Sequence, residues 1–442
     1  MNTPPAPDPA AASGPRWLRR GHQLLLLQGG QAFFPALVEA MDAARTVIHL
    51  ETYIFEFAGA ALTVAEAMER AARRGVTVRL VIDGVGTPSM PTEWRQRFAQ
   101  AGVRWVTYAP LGRFGLLIPS SWRRLHRKLC VVDGTLGFCG GINIIDDHED
   151  VALGHLQVPR LDFSLRVAGP LVDDMVDTME QLWWRLQAVR KARQREFKAA
   201  WEALRALSPV GDFSRLLAAI DVRSGLGGAR WDGAAESPDA DDDSLPPRGV
   251  NDASAVLLLR DNVTHRSDIE RAYLKAIGRA RHDVVIANAY FIPGRRLRKA
   301  LLLAARRGVR VRLLLQGKYE HFLQYHAARP VYHQLLQAGI EIHEYAPSAL
   351  HAKVAVVDRR WATVGSTNLD PLSLLLAREA NVLTTDRRFG SLLHDCLDTI
   401  MARSGQRLDL QTLAHRPWRQ RVLDRMAFGI MRASLFVTGH RY

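Results

Sequence analysis

The sequence contains few cysteines and no long hydrophobic run. Three cysteines in 442 residues, Cys130, Cys139 and Cys396, are too few for a disulfide framework, so we expect buried, reduced thiols. No window approaches the roughly 18 apolar residues that a membrane-spanning helix needs. The apolar run at 24–27 is too short for a secretory signal. The sequence therefore argues against a disulfide-stabilised domain and against a protein that crosses a membrane.

Acidic residues are scarce relative to basic ones. Lys and Arg number 59 against 45 for Asp and Glu, which gives a formal net charge of +14. Such a surface attracts polyanions, so the charge alone is compatible with nucleic acid and with an anionic membrane. A length of 442 residues exceeds what one hydrophobic core usually supports, and two domains are expected.

The sequence contains one pattern twice. "HRKLCVVDGTLGFCGGIN" at His126–Asn143 and "HAKVAVVDRRWATVGSTN" at His351–Asn368 share His, Lys, Asp, Gly and Asn at identical spacing. Two further matches are "AARRGVTVRLVIDG" (71–84) with "AARRGVRVRLLLQG" (304–317), and "ETYIF" (51–55) with "NAYFI" (288–292). Strands alternate with helices in each copy, which predicts an α/β fold of mixed sheets flanked by helices. We expect two such sheets packed together.

Composition divides the chain further. Residues 224–250 lack apolar periodicity and are rich in Gly, Pro and Asp, which is typical of a flexible linker. The predicted segments are a disordered N-terminal tail (1–15), a first half (16–208), a flexible linker (209–250), a second half (251–412) and a basic amphipathic C-terminal extension (413–442).

The shared residues suit chemistry on a phosphodiester. "KLCVVD" and "KVAVVD" read as buried strands, so His126 and Lys128 point to one side of a sheet, as do His351 and Lys353. Lysines and the asparagines of the two turns can bind the non-bridging oxygens of the phosphate, while one imidazole attacks phosphorus and the other protonates the leaving group. The alternative is a duplicated surface pattern, but the polar residues agree together in both copies.

The paired motifs resemble those of the phospholipase D superfamily. The resemblance implies two α/β halves packed as a pseudo-twofold pair with one shared active site, and no metal or other cofactor. The residues that it assigns are the catalytic motifs His126, Lys128, Asp133, His351, Lys353 and Asp358, the phosphate-binding Asn143, Ser366 and Asn368, and the histidine-orienting Glu379 and Asp162. Each carboxylate follows one motif in the sequence, Asp162 after motif 1 and Glu379 after motif 2. Because Asp133 and Asp358 end their strands, a turn-capping role is expected for both. Gly141 stands where the second motif has Ser366, so the first motif lacks that hydroxyl.

Three other stretches are similar to bacterial cardiolipin synthases, in particular the shorter B type without transmembrane helices: "NLDPLSLLLAREANV", "IANAYFIPG" and "RDNVTHRSDIERAYLKAI". This resemblance implies transphosphatidylation between two phosphatidylglycerol molecules, or another phospholipid donor and an alcohol, through a phosphatidyl-histidine intermediate. We assign His126 as the nucleophile and His351 as the general acid and base, although the reverse assignment also fits. The resemblance further implies an anionic phospholipid partner and a peripheral location on the bacterial inner membrane, on its cytoplasmic side.

Two alternatives stay open. One is a phospholipase D-type phosphodiesterase or nuclease, although no aromatic stacking pattern for nucleic acid is evident. The other is a non-catalytic membrane-binding protein. Two basic-apolar stretches, 111–128 and the C-terminal extension, favour contact with an anionic membrane surface. The acidic stretch 146–150 is interpreted as a solvated loop rather than a metal site, and the second substrate and the oligomeric state are left undetermined.

Overall fold

The computed structural model describes residues 18–110, 122–193, 248–262, 264–318, 322–411 and 417–437. The strands are β1 (Arg19–Gln28), β2 (Val47–Thr52), β3 (Thr77–Asp83), β4 (Arg104–Tyr108), β5 (Lys128–Val132), β6 (Leu136–Gly140), β7 (Glu149–Asp150), β8 (Gly154–His155), β9 (Phe163–Ala168), β10 (Arg248–Arg260), β11 (Asp283–Asn288), β12 (Arg310–Gln316), β13 (Glu341–Tyr345), β14 (Lys353–Val357), β15 (Trp361–Gly365), β16 (Glu379–Thr384) and β17 (Gly405–Arg407). The helices are α1 (Gly29–Ala43), α2 (Gly59–Arg73), α3 (Thr92–Ala101), α4 (Leu171–Arg193), α5 (Asp268–Arg279), α6 (Arg295–Arg306), α7 (Phe322–Gln337), α8 (Pro371–Leu375), α9 (Arg387–Ser404) and α10 (Trp418–Val437).

The two halves have the same strand order. From the centre outward the first half runs β1-β9-β6-β5-β2-β3-β4, and the second runs β10-β16-β15-β14-β11-β12-β13, with β17 added at its edge. In each half three strands are parallel, β2 to β4 and β11 to β13, and the rest are antiparallel. Helices connect the parallel strands, as such crossovers require. The predicted α/β repeat is confirmed.

The halves meet in two ways. Strands β1 and β10 pair antiparallel, so the two sheets form one hydrogen-bonded sheet. Strands β6 and β9 also pack against β15 and β16, which brings Leu165 and Val167 into one hydrophobic core with Val364 and Val382. The predicted packed pair is confirmed. Its two sheets join into one, because each half leaves an edge strand at the centre that pairs with the edge strand of the other half.

Two glycines end equivalent helices. Gly75 and Gly308 follow α2 and α6 with φ of 91° and 86°, a left-handed conformation in which a side chain would be strained. The chain then turns directly into β3 and β12. This is the helix ending that the "AARRG" repeat predicts.

One of the predicted repeats is shifted by a residue. The strand registers are Ile48 opposite Val132 in the first half and Val284 opposite Val357 in the second. Because those partners hold the same motif position, Tyr53 corresponds to Ala289. The sequence match of "ETYIF" with "NAYFI" had paired Tyr53 with Tyr290 instead. It is wrong by one residue, because similar residues occupy neighbouring positions.

The domain limits differ slightly from the predicted ones. Strand β10 begins at Arg248, before the predicted start of the second half at residue 251, because the β1 pairing extends to that residue. The predicted tail (1–15) and most of the predicted linker (209–247) lie outside the described residues. Among the described helices, none combines the length and the apolar character needed to span a membrane. The three cysteines are buried and make no disulfide.

Candidate active site

Both motif histidines lie where the two halves touch. His126 and His351 precede β5 and β14, and short parallel bridges join Leu125 to Arg378 and Leu350 to Leu161. The His126 amide donates to the Arg378 carbonyl at 3.0 Å, and the His351 amide donates to the Leu161 carbonyl at 2.8 Å. Each histidine is thereby fixed to the segment that precedes the carboxylate of the opposite half.

The orienting carboxylates are exchanged between the halves. His126 Nδ1 lies 2.9 Å and 3.1 Å from the two carboxylate oxygens of Glu379, and His351 Nδ1 lies 2.6 Å from Asp162 Oδ2. Sequence order had suggested that each carboxylate serves the histidine of its own motif. That interpretation is wrong, because the bridges carry each carboxylate across the interface. With Nδ1 engaged, Nε2 of each ring is the nitrogen available to a substrate.

Strand register confirms that Asp162 and Glu379 are equivalent. Gly140 pairs with Ser164, and Gly365 pairs with Asn381. Asp162 precedes Ser164 by two positions, and Glu379 precedes Asn381 by two positions. Both carboxylates therefore lie at the same point of the sheet. The extra residues between motif 1 and Asp162 include the β7–β8 hairpin, which forms a separate two-stranded sheet. The longer spacing therefore does not displace Asp162.

The difference between Gly141 and Ser366 follows from the carboxylates. Ser366 is fully buried and its hydroxyl donates to Glu379, so the residue positions Glu379, and its phosphate-binding role stays a prediction. In motif 1 a Cβ on Gly141 would lie 2.2 Å from Asp162 Oδ1. Asp162 occupies that space, and the Phe163 amide donates to its Oδ1 at 2.8 Å. A backbone amide thus replaces the missing hydroxyl.

Two buried lysines accompany the histidines. Lys128 Nζ donates to the His126 carbonyl at 2.7 Å, and Lys353 Nζ donates to the His351 carbonyl. Burial lowers the pKa of Lys128 to about 7, against the opposing attraction of Glu379. A phosphate entering the site would restore the charged form of Lys128, since an anion nearby favours an ammonium.

Burial also decides the charge of the imidazoles. It lowers the pKa of His126, although Glu379 opposes the effect. It lowers the pKa of His351 well below the usual value, and Lys353 and Lys128 add to it. Burial raises the pKa of Asp162 to about 7. Near neutral pH the site therefore holds two neutral imidazoles, one of which faces a carboxyl group that readily takes up a proton.

The two motif asparagines are buried beside the histidines. Asn143 Oδ1 accepts from the Ile54 amide at 3.2 Å, which fixes the loop after β2. Asn368 is 3 % exposed, and within the described residues its Oδ1 has no hydrogen-bond partner. A buried amide oxygen without a donor is costly, so Asn368 Oδ1 is suited to accept a hydrogen bond from a substrate hydroxyl.

The motif aspartates lie away from this centre. Asp133 accepts from the amides of Arg45, Thr46 and Val47 at 2.8–3.0 Å, and Asp358 accepts from those of Arg281, His282 and Asp283 at 2.8–2.9 Å. Both follow the far ends of strands whose near ends carry the lysines. These contacts agree with the turn-capping expectation, and the catalytic assignment of the two aspartates stays a prediction.

Tyr53 is a residue that the motif analysis missed. Its ring centroid lies 5.1 Å from that of His126, and Lys128 Nζ lies 5.6 Å from the ring. The signal in the sequence was an aromatic residue directly after an apolar strand. It was read as part of a repeat, so its position against one histidine was not anticipated.

The acidic stretch 146–150 is engaged by the backbone. Asp146 accepts from the amides of Ala60 and His148 at 2.8 Å and 2.9 Å, and Asp147 accepts from the Gly30 amide. These contacts fasten the loop to α1 and α2. The contacts therefore account for these acidic residues without a metal.

One trio in the described part of the chain has metal-ligand spacing, namely His394, Asp395 and Asp398 on α9. Arg359 pairs with Asp395, and Arg312 pairs with Asp398. Because guanidinium groups already neutralise these carboxylates, the trio does not fit a cation. The motif site combines the two imidazoles with two buried lysines, and lysine side chains suit an anion better than a metal.

Comparison with known sequences identifies two matching regions. The family model described as "Cardiolipin synthase, PLD-like domain" matches residues 37–150 and 273–401, more than half of the chain. The chain is 34% identical to cardiolipin synthase B of Escherichia coli K12 over 414 residues, which cover 94% of this chain and 89% of that protein. Identity to cardiolipin synthase B of Salmonella typhi is 35% over the same length.

Comparison with solved structures agrees on the fold. The crystal structure of phosphatidylserine synthase from Haemophilus influenzae matches with a TM-score of 0.63 and 14% identity, and the match covers 94% of each chain. At this identity the likeness concerns the fold alone.

Proposed function

Because this chain belongs to the phospholipase D-like cardiolipin synthase family, we propose that it transfers a phosphatidyl group from one phosphatidylglycerol to a second, giving cardiolipin and glycerol. The observation that carries the proposal is the exchange of carboxylates, through which each half completes the catalytic histidine of the other. A site assembled in this way contains two imidazoles with available Nε2 atoms and two buried lysines.

In the first half-reaction the lysines and Asn368 bind the non-bridging oxygens of the donor phosphodiester. His126 Nε2 attacks phosphorus, and the bond from phosphorus to the glycerol oxygen breaks. His351 Nε2–H gives its proton to that oxygen, so glycerol leaves as an alcohol. The product is a phosphatidyl group bonded to His126.

In the second half-reaction the primary hydroxyl of another phosphatidylglycerol approaches. His351 Nε2 takes the hydroxyl proton while the oxygen attacks phosphorus, and the bond from phosphorus to His126 breaks. One phosphodiester is consumed and one is formed. The phosphatidyl-histidine preserves the energy of the bond, and the proposal requires no nucleotide and no metal.

The two carboxylates support this division of roles. Ser366 donates to Glu379, which stabilises the anion that holds the Nδ1–H of His126 and so favours attack from Nε2. Asp162 has a pKa raised to about 7, so it can hold a proton against His351 Nδ1 at neutral pH. As His351 gives up its Nε2 proton, Asp162 can supply one to Nδ1. The Asp162–His351 pair is therefore the better proton donor and acceptor.

We further propose that the protein binds the surface of an anionic membrane, as a peripheral protein on the cytoplasmic side of the inner membrane. Helix α10 carries an exposed apolar ridge, Trp418, Val422, Met426 and Ile430, which repeat every fourth residue along one face. Arg421 and Arg425 are exposed beside the ridge. Apolar side chains flanked by arginines favour an interface with anionic lipid, as does the net charge of +14. The other proposed membrane segment, 111–128, lies mostly outside the described residues.

The reaction can be tested with purified protein and phosphatidylglycerol in detergent micelles. We expect cardiolipin and glycerol in equal amounts, and His126→Ala and His351→Ala should each lower turnover by about a thousandfold or more. Circular dichroism and melting curves would show that both variants remain folded. Phosphatidic acid as the main product would identify a hydrolase instead, and degradation of plasmid DNA would identify a nuclease. Retained turnover in either variant would contradict the two-histidine mechanism.

A further inference from the structure

The second half contains a cleft of mixed polar and apolar lining, bonded to the neighbours of His351, that the mechanism above does not use. It is lined by Ala289, Tyr290, Gln316, Lys318, Tyr325 and Arg329, among others. The Ala289 amide donates to the Ala352 carbonyl at 3.0 Å, and Gln316 Oε1 accepts from the Leu350 amide at 3.2 Å. The cleft wall is thus bonded to both chain neighbours of His351.

Two cations lie in this cleft, and they differ in their surroundings. Arg329 pairs with Glu344 at 2.7 Å and lies against the Tyr325 ring, 4.2 Å from its centroid, so it is held in the wall. No acidic side chain in the described part of the chain pairs with Lys318. Lys318 therefore leaves the cleft with a positive charge that is available to an anion.

In the described part of the first half the equivalent position is filled. Tyr53 corresponds to Ala289, and its ring lies against His126 where the second half has a methyl group. Gly84 and Gly317 make the same backbone bond, to Tyr108 and Tyr345 respectively, so Lys318 corresponds to Val85. Two differences therefore distinguish the His351 side. Ala289 in place of a tyrosine opens the space, and Lys318 in place of a valine adds the charge.

We propose that this cleft binds the phosphate of the acceptor phospholipid, with Lys318 as its counter-ion. The inference rests on the proposed function, in which two anionic lipids meet at one site. Attacking and leaving oxygens lie roughly in line in phosphoryl transfer, so the acceptor hydroxyl must approach opposite His126, on the His351 side. The acceptor phosphate is joined to that hydroxyl by a short glycerol chain and must therefore lie next to His351. Without a cation there, two phosphates would repel each other at close range.

The test compares two acceptors that share one donor. Purified Lys318→Gln would be assayed in micelles for cardiolipin formation from phosphatidylglycerol, and for exchange of labelled glycerol into phosphatidylglycerol, whose acceptor is neutral. Loss of one charge-assisted contact should lower cardiolipin formation at limiting acceptor by roughly tenfold or more, with a raised KM for the acceptor. Glycerol exchange, and glycerol release in the first turnover, should change much less. Lys318→Arg should restore most of the loss.

Lys299→Gln is the matched control, since it removes one exposed positive charge from the same half without touching the cleft. An equal fall in both reactions would overturn the proposal, because Lys318 would then act on the donor or on the chemistry. Unchanged cardiolipin formation would overturn it as well. If the unaltered protein released no glycerol and formed no cardiolipin, the proposed function itself would fail, which is a different result.

Discussion

In the first half a tyrosine ring lies against His126, and in the second half the equivalent residue beside His351 is Ala289. A similar contrast occurs at the residue that follows each histidine. The first half buries the ion pair of Arg127 with Glu51, with a further bond from Arg127 to the carbonyl of Thr178 in α4. Register and motif position place Ala352 and Ala287 at these points in the second half.

The comparison shows that a repeated fold need not have two equal half-sites. The His126 side is filled by side chains and hydrogen-bonded to α4, which suits a nucleophile whose position must be fixed. The His351 side is lined by small residues and opens to the Lys318 cleft, which suits an acid and base that must admit two different alcohols in turn. The shared backbone supplies the symmetry, and side chains at a few equivalent positions remove it.

The largest expected effect concerns the exchanged carboxylates. Glu379→Gln and Asp162→Asn should each lower cardiolipin formation by about a hundredfold or more, because the tautomer and orientation of one imidazole are lost. A donor with a p-nitrophenol headgroup separates their roles, since this leaving group needs no proton. With that donor Asp162→Asn and His351→Ala should still release nitrophenol, whereas Glu379→Gln and His126→Ala should not.

This grouping places each histidine with the carboxylate that follows the other motif in the sequence. If Glu379→Gln instead behaved like His351→Ala, each carboxylate would serve its own half and the geometry described here would not be the working one. If all four assignments were reversed together, His351 would be the nucleophile.

A smaller effect should appear in the pH dependence. The proton held by the Asp162–His351 pair and the charge on Lys128 are both lost as pH rises through about 7, because burial raises the pKa of Asp162 and lowers that of Lys128. Both protonated forms favour the first half-reaction, so the rate of glycerol release should fall above neutral pH, more steeply than one titration allows. In Asp162→Asn the residual rate should fall with the slope of a single group. An unchanged slope in this variant would show that Asp162 does not titrate in the working range.

The turn-capping aspartates should behave alike in the two halves. Asp133→Ala and Asp358→Ala each leave three backbone amides of the preceding loop without an acceptor, at a cost of about 1–3 kcal/mol in the free energy of unfolding. Urea unfolding measures that cost. Activity per folded molecule should be retained at low urea, since neither residue reaches the site. Loss of activity without loss of stability would return both residues to the catalytic set.

The two carboxylates were predicted from the family resemblance. Motif spacing predicted the paired histidines and lysines, because strand periodicity fixes which side chains share a face. It could not predict which carboxylate meets which histidine, since the bridges Leu125 to Arg378 and Leu161 to Leu350 form only between folded halves. The contact of Ser366 with Glu379 was missed because the motif spacing does not show that β15 pairs with β16, which brings the two residues together. The equivalence of Tyr53 with Ala289 could be recognised only from the observed strand register. The comparison of the cleft with the first half uses that equivalence.

The smallest expected effect concerns helix α10, which packs on the second half. Its inner face packs on α7, where Asp424 accepts from the buried His326 at 2.6 Å and Ala427 joins the hydrophobic core. The opposite face carries the ridge from Trp418 to Ile430. The extension therefore combines packing and exposure, and removing it from residue 413 onward should lower both the melting temperature and vesicle binding.

Single substitutions on the two faces of α10 separate these contributions. Met426→Gln removes an apolar side chain that is 58% exposed, so it should leave the melting temperature unchanged and weaken sedimentation with phosphatidylglycerol vesicles several-fold, by roughly 1–2 kcal/mol of lost apolar transfer. Asp424→Ala removes the partner of a buried histidine, so it should lower the melting temperature and leave the ridge intact. Turnover in micelles should change little in Met426→Gln, because no site residue is altered. If Met426→Gln bound vesicles as well as the unaltered protein did, while Asp424→Ala lowered both properties, α10 would serve the second half as a packing element, and the membrane contact would have to lie elsewhere.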